Sequence, residues 1–194
     1  MPCARNESLG LNHKTAGPTY DIHRSWEDNV AYGPFFNAEL PQLTALQSPR
    51  YLLHFRINSI LGVAAGLLLN SEWVKLYSDL GFDILTYQTV RTAEHPSHPY
   101  PNCLYIHPVD RIDTQEDSQL LGTDRLEDFL IERLSITNSF GVPSQAPDRW
   151  REDVAKAKGY LKDGQILIVS VVGTSRRSRD VDAFVKDFQT CALW

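Results

Sequence analysis

The sequence contains no GxGxxG and no GxxxxGK[ST] stretch, so neither a Rossmann dinucleotide site nor a P-loop has support. Ser170 and Ser175 have no nucleophile elbow around them, which removes the serine-hydrolase arrangement built on that turn. Cysteine is scarce: Cys3, Cys103 and Cys191 are odd in number and far apart, excluding a disulfide framework or a CxxC metal site and making a reducing cytoplasm the expected compartment. There is no excess of positive charge. The net charge is -5, which gives no basic footprint for nucleic acid. Long apolar runs are missing too, since "LGVAAGLLL" at 61–69 is too short for a bilayer and is broken by two glycines, so no membrane segment is expected. The opening "MPCARNESLG" lacks the basic region and apolar core of a signal peptide, and the first dozen residues are expected to be loose.

What is present fits one folded domain. The chain has 194 residues, 42% of them hydrophobic and 22% charged, enough for a sizeable core. Residues 18–50 are rich in proline, aromatics and polar side chains without a sustained period, and residues 1–50 read as an extended N-terminal arm. "YLLHFRI" at 51–57 reads as one short strand, an arm of a hairpin turning at Asn58-Ser59. "ILGVAAG" is a continuous apolar run, as expected of a strand covered on both faces. In "NSEWVKLYSDLGFDILTY" the period changes as in a βαβ unit. Trp73, Leu76, Tyr77 and Leu80 fall at helical spacing, Asn70 or Ser71 can cap the start, Gly81 stops the helix, and "FDILTY" is the next buried strand.

Residues 103–137 read as an insertion with a short strand "CLYIH", an acidic loop and a helix "DRLEDFLIERL". After "SITNSFGVPSQAP" a second amphipathic helix runs from about Asp148 to Leu161 and ends near Gly164. A third buried strand, "QILIVSVVG", follows at 165–173, and a last helix starts near Ser178 or Asp180, with Asp182 favouring its N-terminus. Alternation of this kind predicts a parallel sheet with right-handed crossovers. The order stops at Trp194 with an exposed sheet edge, in what reads as mid-architecture.

In such a sheet, functional groups gather where strands end. The candidates are Ala65-Gly66, the polar run Gln88 to Arg91, Gly173-Thr174, and the turn from Asn138 to Pro143. Gly66 and Gly173 allow a backbone to approach a flat ring, and Asn138 offers donors and an acceptor to a heterocycle edge. His95, His98 and His107 lie in one stretch without the Cys or carboxylate spacing of a metal site, and no metal is assigned.

Three segments together resemble the N-terminal part of the dihydroorotate dehydrogenase family, FMN-containing (β/α)8 barrels. "INSILGVAAG" is similar to the family's opening barrel strand with its small-small-Gly end. "DILTYQTVRTAEHPSHPYPN" is similar to a stretch with a Thr-Lys-Ser or Thr-Lys-Thr motif followed by two prolines, here Pro99 and Pro101. "NSFGVPS" is similar to the family's Asn-Ser-Met-Gly-Leu-Pro-Asn loop, and "GQILIVSVVG" matches the strand after it. The resemblance covers roughly residues 52–194, with order and spacing preserved.

It implies an α/β fold: a partial (β/α)8 TIM barrel of about three βα units, residues 51–194, behind the N-terminal arm. It implies FMN as cofactor, facing Ala64, Ala65, Gly66, Gln88 and Thr89. A pyrimidine substrate would contact Gln88, Asn138, Ser139, Phe140, Gly141 and Val142. The implied activity of the complete protein is oxidation of dihydroorotate to orotate in pyrimidine biosynthesis. Two alternatives stand beside it: a non-catalytic part-barrel completed by self-association or by a partner bearing the remaining strands, and another flavin-dependent pyrimidine oxidoreductase. Gln88 stands where the family has lysine, replacing a charge with a neutral amide. Phe140 replaces methionine, and Ser144 stands for the family's second asparagine. The family's base, a Cys or Ser, comes from a later part of the barrel, and no cysteine here falls in a matching motif, so no catalytic residue is assigned.

Overall fold

The computed structural model describes residues 18–43, 50–106, 121–125, 135–174 and 181–194. Its centre is an open parallel sheet of three strands, β3 (Gly62–Leu68), β4 (Ile84–Val90) and β8 (Ile166–Val171), in the order β3-β4-β8. Helix α2 (Ser71–Asp79) links β3 to β4. Helix α3 (Pro147–Gly159) precedes β8, and α4 (Val181–Leu193) follows it.

Helix α2 forms where the spacing predicts it. Asn70 caps it, its side-chain oxygen accepting from the backbone N–H groups of Glu72 and Trp73, and Gly81 follows the helix at φ +92°. Trp73 and Val74 are fully buried against Leu68, Leu69, Leu85 and Tyr87, and Trp150 and Ala157 bring α3 onto the same core. Each large apolar side chain so buried contributes roughly 1.5–3 kcal/mol. Pro147 begins α3, where a missing N–H costs nothing.

Strand β4 runs further than the apolar pattern suggests. Gln88 and Thr89 belong to it, and its pairing with both neighbours is irregular after Tyr87 or Val63, which turns adjacent residues toward one side. Strand β3 is not covered on both faces as expected: Gly62, Ala64 and Gly66 are exposed, and burial alternates along it until Leu68. Its small residues lie on a face that nothing among the described residues covers. Both outer edges of the sheet are likewise unpaired among the described residues.

Three further expectations are corrected. Residues 51–57 are not one strand. Arg50–Leu52 (β1) and Phe55–Ile57 (β2) form the whole hairpin, turning at Leu53-His54, and Asn58 instead docks it onto the start of β8 through Asp163 and Gly164. The N-terminal segment is not wholly extended: Trp26–Tyr32 form a short helix, α1, capped by Ser25, with Trp26 in the core. Residues 103–138 hold a small antiparallel sheet, with β5 (Cys103–Ile106), the expected strand "CLYIH", between β6 (Gly122–Thr123) and β7 (Ser135–Asn138), where no strand is expected. The helix expected over 124–134 lies, apart from its first two residues, outside the described residues.

Candidate functional site

Toward the C-terminal ends of β3 and β4 lies a cavity of about 330 Å3. Ala65 and Gly66 line it from β3, Gln88 and Thr89 from β4. Asn138, Ser139, Phe140, Gly141, Val142 and Pro143 line it from the end of β7 and the segment that follows. Trp26 of α1 closes one side. Asn138 is placed by a ladder rather than by a free loop, since it pairs with Cys103 across β5.

Backbone conformation shapes this cavity. Gly66 has φ +115°, and a Cβ there would meet nothing within 4 Å, so the strand offers a flat, open approach that other residues would obstruct. Gly141 has φ +77° and supports the His98 ring, which a Cβ would strike. Val142, a β-branched residue, has φ +52°, a conformation that persists only when its surroundings impose it.

Those surroundings come from the end of β4. Gln88 Nε2 donates to the Pro143 carbonyl at 2.8 Å, and Arg91 Nε donates to the Val142 carbonyl at 3.0 Å. Ser144 Oγ accepts from the Arg91 backbone N–H at 3.1 Å, while His95 and Ser144 exchange two backbone hydrogen bonds. Ser139 Oγ lies 3.0 Å from His98 Nδ1. Arg91 also reaches Thr174 Oγ1, at the end of β8, at 2.9 Å. The polar run after Leu85 is therefore a clamp. It grips residues 142–144 and ties them to two strand ends.

Two titratable groups, Arg91 and His95, stand behind the cavity wall. Burial holds the Arg91 guanidinium below its ordinary value; burial, then Arg91 and His98, holds His95 below the usual histidine range. None of the lining residues is ionisable by ordinary chemistry: the wall consists of amides, hydroxyls, backbone, aromatic and aliphatic groups. Gln88 is 7% exposed, and its Oε1 is buried without a hydrogen-bond partner among the described residues. Such an acceptor costs about 1–3 kcal/mol until something donates to it.

Nine of the ten residues that the resemblance implies meet at this cavity; Ala64 is exposed on β3 and does not line it, and neither do Val90, Arg91, Gly173 and Thr174 among the strand-end candidates. Sequence reasoning missed Trp26, because a lone tryptophan in an aperiodic segment carries no positional signal, and it missed the clamping role of Arg91 and Ser144. Among the described residues no group of three or more His, Cys, Asp and Glu is placed to hold a metal, and His107 lies outside them. Cys103 and Cys191 are free and buried, and burial raises both thiols. A larger, more open recess of about 560 Å3 lies beside the N-terminal segment at Tyr20, Phe35 and Phe36, but its cation Arg24 is already paired with Asp21. No helix among the described residues is long and apolar enough to cross a membrane.

The arrangement defines an α/β protein with an open parallel sheet and an uncharged polar cavity where strands end. The chain is 39% identical over 178 residues to a dihydroorotate dehydrogenase of Dictyostelium discoideum, an alignment covering 88% of this chain and 47% of that protein. The two are related by sequence over that stretch, and this chain spans about half the length of the curated relative it matches. No protein-family model matches the chain.

Proposed function

We propose that this chain is the flavin- and pyrimidine-facing part of an incomplete (β/α)8 barrel related to dihydroorotate dehydrogenases, and that it works with strands supplied from outside the described residues. The observation that carries the proposal is the convergence of Ala65, Gly66, Gln88, Thr89 and residues 138–142 on one cavity, in a chain related over most of its length to a protein of that name. The unpaired edges of β3 and β8, with Ile168 40% exposed on β8, support completion by further strands, from a second copy or a partner.

The cavity suits FMN because Gly66 leaves open space where a side chain would stand, as a flat ring lying on the backbone requires. Ala65, Gly66, Gln88 and Thr89 would hold the ring system, and FMN would supply hydride acceptance there. Asn138, Ser139 and the backbone from Phe140 to Val142 would present donors and acceptors to a pyrimidine edge. In a complete assembly this reading includes oxidation of a dihydropyrimidine, dihydroorotate or another.

A non-catalytic role for the chain on its own is the reading that the cavity wall favours. Removing a proton from a ring carbon needs a base, and the described lining residues include no His, Cys, Asp, Glu or Lys. Titration with FMN, followed through tryptophan fluorescence because Trp26 lines the cavity, tests the site; sedimentation over a hundredfold range of protein concentration tests completion by self-association. Saturable quenching is the expected result. Absence of quenching at every concentration, with or without association, would remove the flavin reading.

A further inference from the structure

We propose that Ser139 and His98 form a nucleophile and its base at the cavity wall, and that this pair takes acyl groups from small uncharged esters. Acyl transfer needs neither a flavin nor a base facing a ring carbon. It therefore goes beyond the reading given above and does not depend on it.

Ser139 lines the cavity, and its Oγ lies 3.0 Å from His98 Nδ1, within the reach a base needs to take a hydroxyl proton. Oγ makes no other hydrogen bond among the described residues. The imidazole is seated on the same segment as the hydroxyl. The His98 backbone N–H donates to the Phe140 carbonyl at 2.9 Å, and its ring lies against Gly141, where a Cβ would strike it. Asn102, itself buried, holds both partners: its Nδ2 donates to the His98 carbonyl at 2.8 Å, and its carbonyl accepts from the Ser139 N–H at 2.8 Å. Base and nucleophile are thus fixed to one frame.

With the ring proton on Nε2, Nδ1 accepts from Oγ. Oγ attacks the carbonyl carbon of an ester, its proton passes to Nδ1 and on to the departing alcohol oxygen, and the acyl group remains on Oγ. Water then repeats the sequence and releases a carboxylic acid. The backbone N–H groups of Phe140 and Gly141, next in the chain after the nucleophile, donate to nothing among the described residues and are open to a developing oxyanion. The cavity lining carries no charge, which suits an uncharged ester. Nε2 has no partner among the described residues, so no acid orients the ring as in a serine triad, where disabling that acid costs about 10⁴ in rate. Turnover should be slow, and acylation of Ser139 is the step to measure. The competing account is a surface hydrogen bond without reactivity.

The test treats the full 194-residue chain with p-nitrophenyl acetate and follows acetylation residue by residue by mass spectrometry of the digested protein. Ser135, exposed on β7 just before Ser139, is the internal reference, since no histidine is bonded to it among the described residues. We expect Ser139 to be acetylated about a hundredfold faster than Ser135, and His98→Gln to remove that excess. Both side chains are exposed, so the substitution leaves the core intact. Equal rates at Ser139 and Ser135 overturn the proposal without any variant; so does a His98→Gln chain that acetylates Ser139 as fast as the native one. Either result leaves the flavin reading in place, whereas absent FMN quenching with fast acetylation of Ser139 removes the flavin reading and supports the proposal.

Discussion

Tyr87 donates its hydroxyl to Asp153 at 2.6 Å, across the layer between β4 and α3. The same carboxylate accepts from the backbone N–H and the hydroxyl of Ser71, at 2.7 and 2.6 Å. One side chain of α3 therefore joins the first turn of α2 to the strand that carries Gln88, and its negative charge sits where the α2 dipole favours it. Burial, then the bond to Asp153, pushes the Tyr87 phenol far above its ordinary value, so it remains a donor. The cavity floor is held from behind by this junction.

Tyr87→Phe removes one of three donors to a charged acceptor and leaves the ring packing in place. Hydrogen bonds to charged groups are worth about 1.5–3 kcal/mol, and the loss should fall in that range. Urea unfolding with an unchanged slope and a lower midpoint is the expected result. A midpoint equal to that of the native chain would mean that solvent replaces the phenol at Asp153 without cost.

Leu53 is 86% exposed and has φ +54° at the turn between β1 and β2. For a residue with a Cβ, that conformation costs about 1–2 kcal/mol, and asparagine tolerates it better. Leu53→Asn should therefore raise stability by about 0.5–1 kcal/mol. A higher thermal midpoint by calorimetry checks this, and a lower one would show that Leu53 makes an apolar contact worth more than the strain.

These two residues show where sequence reasoning succeeds and where it stops. Tyr87 lies in a strand whose apolar run, following the helical period of Trp73, Leu76, Tyr77 and Leu80, marks a βαβ unit, and the structure has that unit. Local periodicity and capping carried it. The turn at Leu53-His54 has no glycine, asparagine or proline, so turn chemistry gives no signal there and points instead to Asn58-Ser59, beyond the hairpin's second strand. In the small sheet β6-β5-β7 the strand "CLYIH" is legible and its partners are not: they lie far apart in sequence, and a four-residue strand such as "SITN", every residue of it exposed, shows no buried face. At the site, nine of the ten residues that the resemblance implies line the cavity, whereas strand-end position alone also marks Gly173 and Thr174, which do not; the direction of each hydrogen bond, which makes Gln88 a clamp as well as a wall, is visible only in coordinates.

Gly66→Ala separates conformational cost from occupancy. The new Cβ meets no neighbour within 4 Å, so crowding inside the protein is not at issue, but φ +115° is strained for alanine by about 1–3 kcal/mol. A loss of stability in that range should accompany at least a tenfold loss of FMN quenching, because the methyl group occupies the approach to the backbone. Gly159→Ala is the control: its Cβ also meets nothing, its φ is not positive, and neither property should fall. Equal FMN affinity in Gly66→Ala would place the flavin ring away from β3.

His95 gives the clamp a pH dependence whose sign follows from its depressed folded value. Burial disfavours the imidazolium, and Arg91 and His98 add like charge beside it. The folded chain therefore holds fewer protons at this position than the unfolded chain, whose histidine titrates near 6.5. The stability contribution is fully present above pH 6.5 and is lost as pH falls through the lower folded value. His95→Gln keeps the backbone bridge to Ser144 and removes the titrating group. Urea midpoints measured across a pH series should agree for native and variant in their slope above pH 6.5 and diverge below it, with the variant losing less. If the two decline in parallel below pH 6.5, protonation at His95 does not loosen residues 142–144, and the acid sensitivity lies elsewhere.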